Sequence, residues 1–152
     1  MMTLLGTNAN SATGAPYIDD NGGSNYFARG HLSPDAAFVY DAEQDATYYF
    51  MNVAPQFQSF NNGNWKSLEL ATRKYAEEVA RGDVKVYTGT FGQLAYLGTP
   101  IFLHTDNGES LIPAPLYFWK VIHNAVRGEA TAFVGLNDPH AIEAPTLMCK
   151  NE

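Results

Sequence analysis

The chain has a single cysteine in 152 residues, Cys149, so no disulfide closes within it and no cysteine cluster binds a metal. Two readings of that thiol stay open: a free group without a role, or half of a disulfide whose partner lies beyond Glu152 in a longer precursor. Positive charge is scarce too. Nine Lys and Arg against sixteen Asp and Glu leave −7 at neutral pH, which excludes a protein that grips nucleic acid with a broad basic face. An enzyme that neutralises one phosphate locally is not excluded. No run approaches the roughly 18 apolar residues of a membrane span. Met1 to Leu5 is too short and too uncharged for a signal peptide.

Aromatics are plentiful, with nine Phe, nine Tyr and two Trp, and the length suits one domain with a real core. Residues 1–25, rich in Gly, Asn, Ser, Asp and Thr, read as a flexible lead-in to a domain over 26–152. Tyr26 to Leu32 is expected to be a strand, Asp35 to Tyr40 a loop or helical turn, and Asp41 to Asp45 a polar turn. Ala46 to Val53 is β-branched and aromatic, which predicts a strand ended by Pro55. Asn61 or a neighbour then caps a helix that runs to Arg81-Gly82, with Trp65, Leu68, Thr72, Tyr75 and Val79 as its buried stripe. Strands are expected at Val84–Phe91, Ile101–His104, Leu116–His123 and Ala130–Leu136, with Pro113 and Pro115 giving the third an extended entry. The order is α+β, a mostly antiparallel sheet with one long helix packed on it.

Within that order the segment Arg29-Gly30-His31 leads to Asn61, Glu69 and Arg73 on the helix. Two antiparallel strands followed by a packed helix bring His31 and Asn61 to face each other across a cleft. A neutral imidazole there can take a proton from water. Asn61 offers an amide carbonyl, a hard oxygen ligand suited to Mg²⁺ with most of its waters retained. Positions 61, 65, 69 and 73 drift about 40° per step on a helical wheel, so Asn61, Glu69 and Arg73 share one broad face. Glu69 and Arg73, four apart, are also expected to pair. Arg29, two residues before His31, points to the same side of its strand and can fork onto phosphate. Singly these are a strand histidine, a helix cap and a solvated ion pair. Together they are the parts of metal-assisted phosphodiester cleavage.

The order of motifs resembles the DNA/RNA non-specific endonuclease family, built on a ββα-metal (His-Me) finger. The residues that carry the likeness are Ala28-Arg29-Gly30-His31, Asn52-Val53-Ala54-Pro55-Gln56, Phe60-Asn61-Asn62-Gly63-Asn64-Trp65-Lys66-Ser67-Leu68-Glu69, and Arg73. By that resemblance His31 is the general base and Asn61 the single protein ligand of a hydrated Mg²⁺, for which Mn²⁺ can substitute. Glu69 holds metal-bound waters, while Arg29 and Arg73 contact phosphate. Asn52 and Gln56 line the cleft and support the histidine or the substrate. The substrates implied are DNA and RNA, and Ala28 in place of the commoner Asp resembles the arthropod branch that degrades double-stranded RNA. The likeness also implies a secreted protein. The family supplies a further phosphate-binding arginine well upstream of its RGH motif, whereas no arginine precedes Arg29 here. The chain is therefore expected to be a fragment shortened at both ends, and the competing expectation is a degenerate domain that binds nucleic acid without cutting it. Oligomeric state is left open.

His104, His123 and His140 with Asp106 or Asp138 match no zinc spacing, and Gly89-Thr90-Phe91-Gly92 lacks the Gly-Lys-Ser/Thr of a phosphate loop. His104 through Gly108 reads as a strand end entering a hairpin turn. The aromatic run Leu116 to Val121 is read as a strand buried on both faces rather than a base-stacking platform.

Overall fold

A computed structural model of the chain describes residues 25–80, 83–106 and 109–141. Cys149, the Arg81-Gly82 helix stop and nearly all of the expected lead-in lie outside them. Strand β1 (Phe27–His31) pairs antiparallel with β2 (Val53–Phe57), placing Arg29 opposite Pro55 and His31 opposite Val53. A helical run over residues 58–80, α2, follows directly. The central sheet has the order β3 (Val84–Gln93), β8 (Pro115–Asn124), β9 (Glu129–Leu136), all antiparallel. Two small ribbons complete the described strands: β4 (Ala95–Tyr96) with β5 (Thr99–Pro100), and β6 (Phe102–Asp106) with β7 (Glu109–Pro113). The architecture is α+β, with the strand–strand–helix unit laid beside a three-stranded sheet. Among the described residues no helix is long and apolar enough to cross a membrane.

Two expectations are corrected. The segment 46–53 is not a strand: Asp41–Ala46 winds a short helix, α1, with Asp41 and Glu43 in its first turn, where acidic groups favour a helix N-terminus. Phe50 and Met51 are 90% and 87% exposed, so the apolar content that suggested a strand is not buried at all. The real strand starts at Val53 and runs across Pro55. It tolerates proline because, among the described residues, β2 pairs with β1 alone, leaving its other edge without a ladder to donate to.

The long helix also differs. It starts at Gln58, with Phe57 at the cap position and no side-chain capping bond. The run is kinked at Gly63, whose backbone is not helical (φ −101°, ψ −112°), and after a regular stretch Lys66–Lys74 it ends in a wide, π-type turn at Tyr75–Ala80. Phe60 and Trp65, before and after the kink, meet as tilted rings with centroids 5.6 Å apart, and both meet Phe118 of β8 at 6.1 and 5.5 Å. The wide turn puts Ala80 against the sheet in place of Val79, which is 46% exposed.

The main core is Phe27, Phe57, Leu94, Ile101 and Ala114, which joins the β1–β2 pair to the ribbons. Asn137, fully buried just after β9, fastens the same pair to the central sheet. Its amide donates to the carbonyls of Pro55 (3.0 Å) and Pro115 (2.9 Å), and its oxygen accepts from the Phe57 N–H (2.8 Å). The aromatic run of β8 lies in the middle strand with every residue buried or half-buried, as expected of core rather than platform.

Candidate active site

Strand alternation sets Arg29 and His31 on one face of β1, and α2 packs across their end. Between them opens a cavity of about 420 Å³ whose walls include Arg29, His31, Asp35, Tyr48, Asn61, Glu69 and Arg73. Five of the residues singled out in the sequence, His31, Arg29, Asn61, Glu69 and Arg73, thus share one cleft.

The His31 Nε2 is buried and has no hydrogen-bond partner. Burial is the main influence on this imidazole and lowers its pKa, against opposing contributions from the Asp35 carboxylate and a hydrogen bond to the Arg29 backbone. The ring is held by Tyr48, which meets it edge-on at a centroid distance of 4.5 Å, while the Tyr48 hydroxyl donates to Asp35 Oδ2 at 3.0 Å. That hydrogen bond to Asp35 is also the largest reason the Tyr48 phenol is pushed up from its usual pKa. The sequence reading placed Tyr48 in a strand and Asp35 in a loop or helical turn, and marked neither as a site residue; Asp35 opens a short helical turn, Asp35–Ala37, and Tyr48 follows α1.

On the helix side, the Asn61 amide nitrogen donates to Gln58 Oε1 at 3.2 Å, and its carbonyl oxygen has no hydrogen bond among the described residues. Glu69 Oε1 is buried and partnerless. Burial raises the Glu69 pKa, the field of Lys120 opposes that rise, and Asp35 adds to it. The nearby Trp65 indole also favours the Glu69 anion, although its N–H completes no hydrogen bond of good geometry. Glu69 and Arg73 do not form the expected ion pair. Arg73 instead turns its guanidinium to the Ala36 carbonyl (3.1 Å) and so pins the loop after His31. Arg29 is exposed and makes no hydrogen bond or ion pair among the described residues, so its fork is free.

Gln56 does not line the cleft, a correction to the sequence reading, whereas Asn52 lines a second cavity that shares Glu69 and Arg73 with it. The Asn52 side chain is spent on backbone: it accepts from the Ser33 N–H (3.1 Å) and donates to the carbonyls of Ser33 (2.9 Å) and Thr47 (2.8 Å). It shapes the turn that follows His31. Gln56 is fully buried, with both polar atoms unpaired, on the face of the ribbon opposite His31. There it packs against Gly30, where an added Cβ would stand 2.4 Å from the Gln56 Cβ, and this is why the middle residue of the RGH segment is glycine.

The donor set suits one hard, hydrated cation. Three residues lining one cavity carry an amide carbonyl with no hydrogen bond among the described residues (Asn61), a buried partnerless carboxylate oxygen (Glu69) and a buried partnerless imidazole nitrogen (His31). No group of three or more His, Cys, Asp or Glu side chains is placed to hold a metal among the described residues. A cation here would therefore keep most of its water.

Comparison with known proteins agrees with the motif order. The model of the DNA/RNA non-specific endonuclease family matches residues 4–152. A salivary endonuclease of Lutzomyia longipalpis is 40% identical over 116 residues, covering 76% of this chain and 28% of that protein. The salivary protein Tsal1 of Glossina morsitans morsitans is 31% identical over 144 residues, covering 91% of this chain and 35% of the relative. A chain in the crystal structure of the EndoG/EndoGI complex superposes with a TM-score of 0.55 at 25% identity, covering 78% of this chain and 51% of that one. The chain spans about a third of the length of these salivary relatives. It belongs to the DNA/RNA non-specific endonuclease family.

Proposed function

We propose that this cleft hydrolyses phosphodiester bonds of DNA and RNA, double-stranded RNA included, with little sequence preference. The observation that carries the reading is that His31, whose Nε2 is buried and without a hydrogen-bond partner, lines the same cavity as Asn61, Glu69 and two arginines. His31, neutral at physiological pH because burial disfavours its charge, accepts the proton of the attacking water. Arg29 and Arg73 hold the phosphate, and the tie from Arg73 to Ala36 preorganises its guanidinium. Asn61 and Glu69 are the groups that would hold a hydrated divalent cation, Mg²⁺ or in its place Mn²⁺. When bound, that cation neutralises charge developing on the phosphate and the leaving oxygen. The net charge of −7 fits recognition of a single phosphate rather than a broad grip on the duplex.

Residues 26–152 are the catalytic core of this reading. The salivary relatives support an extracellular site of action. A second reading, binding without cleavage, is favoured by one observation: the His31 Nε2 is buried and so shielded from a cleft water. Digestion of a plasmid and of duplex RNA with Mg²⁺ separates the two, using the chain and its His31→Ala variant. Cleavage lost on substitution supports the first. Equal activity in both, or retained binding with no cleavage in a folded wild type, refutes it.

A further inference from the structure

Positive charge is scarce in this chain, yet it gathers at one place. Of the seven Lys and Arg residues among the described ones, three, Arg29, Lys66 and Arg73, line the cleft. The other four are placed elsewhere. Lys74 and Arg127 form surface ion pairs with Glu78 (3.9 Å) and Glu129 (3.0 Å). Lys120 is buried in β8, where its ammonium donates to Thr88 Oγ1 at 2.9 Å, reaches the Leu32 carbonyl at 3.4 Å and lies 5.0 Å from the centroid of the Trp65 ring. Lys85 stands on β3, opposite His123 of β8.

The proposed reaction uses Arg29 and Arg73 and leaves Lys66 without a role. Lys66 is exposed and opens the regular stretch of α2 just after the Gly63 kink. Its ammonium donates to Asn62 Oδ1 at 3.1 Å across that kink, and Asn62 lines the same cavity. Asn62 carries no charge and an ammonium has three donors, so a full positive charge and further N–H groups stay available at the cleft wall. Glu69 stands three residues on, a spacing at which opposite charges commonly pair. Lys66 nevertheless forms no ion pair among the described residues, either with Glu69 or with Asp35, the other carboxylate of the cleft. It also stands about two helical turns from Arg73, roughly 10 Å along the axis. The two cations therefore occupy different points along the cleft.

We propose that Lys66 is a further substrate-binding residue: while Arg29 and Arg73 hold the phosphate to be cut, the Lys66 ammonium, steered by Asn62, pairs with the neighbouring phosphate of the same strand. A phosphodiester backbone is the ligand that such chemistry selects, because contacts to phosphate position a strand without reading its bases. Lys66 then gives an acidic chain a second point of grip at the cleft. The role in cleavage rests on the nuclease reading, whereas the grip on the strand does not.

Equilibrium binding of the full chain to a short DNA duplex, without divalent metal and across a series of NaCl concentrations, tests it. Each phosphate contact contributes about 0.9 to the slope of log affinity against log salt. Lys66→Gln is therefore expected to flatten the slope by about that amount, so that the advantage of the wild type shrinks about 3.5-fold between about 50 and 200 mM salt. Lys66→Arg is expected to keep the wild-type slope, since the charge remains. Lys74→Gln removes the same charge from the same helix outside the cleft wall, and is expected to leave the slope where it was. An unmoved slope in Lys66→Gln, an equal change in Lys74→Gln, or a wild type that does not bind the duplex overturns the proposal. In the cleavage assay, Lys66→Gln is expected to raise KM severalfold at low salt with kcat little changed, because a contact away from the reacting phosphate serves ground state and transition state alike. A Lys66-dependent slope in a wild type that cuts nothing with Mg²⁺ refutes the nuclease reading and supports the grip. Cleavage with an unmoved slope refutes only the proposal.

Discussion

Replacing Asn137 with Ala should destabilise the chain without removing any group from the cleft. Its side chain is fully buried and makes three hydrogen bonds, at 2.8, 2.9 and 3.0 Å, to backbone groups of Phe57, Pro115 and Pro55. Each such bond contributes about 1 kcal/mol net, so the expected loss is about 3 kcal/mol. For a domain of this size that corresponds to a fall in melting temperature of about 10 °C. Urea unfolding followed by tryptophan fluorescence measures it, since Trp65 and Trp119 lie at the helix–sheet contact and on β8. The three bonds join β2 to the strand that underlies α2, so cleavage should decline in step with the folded fraction and not beyond it. A loss below about 1 kcal/mol would refute the idea that Asn137 fastens the strand pair to the sheet.

Burial lowers the His31 pKa, so the imidazole stays neutral and able to accept a proton to a pH below its ordinary value of about 6.5. The kcat/KM of cleavage, which reports the free enzyme, should therefore fall only as the pH drops through a midpoint under 6.5. A midpoint at or above that value contradicts the assignment. Gly30→Ala places a methyl 2.4 Å from the Gln56 Cβ. The strand pair must spread, at a cost of about 1–3 kcal/mol. An unchanged melting temperature in that variant would show that Gln56 moves aside freely.

The cleft was legible because the residues singled out for it are carried by two short segments in fixed order, Ala28–His31 and Phe60–Arg73. Strand alternation and helix periodicity were enough to bring His31, Arg29, Asn61, Glu69 and Arg73 to one cavity. What escaped lay in tertiary choices. Phe50 and Met51 look like strand residues yet stay exposed, so β-propensity misplaced β2. The wide turn of α2 shifts its register by one residue, which exchanges Val79 for Ala80 at the sheet. Asn52 and Gln56 sit within a motif whose order suggested contact with substrate, but local hydrogen bonds and the ribbon's far face claim them. Lys120 was hidden in an apolar run. Its contacts Leu32, Trp65 and Thr88 come from three separate parts of the chain, so no spacing announces it.

The central claim is that Asn61 and His31 serve one hydrated cation in one cleft. Titrating Mn²⁺ into the free chain and following the broadening of side-chain NMR signals tests it most directly. The account predicts that the Asn61 amide and the His31 ring broaden first, with excess Mg²⁺ reversing the effect and Asn61→Ala abolishing it. Broadening that begins at the exposed Glu77 and Glu78, and leaves the Asn61 amide sharp, would contradict it.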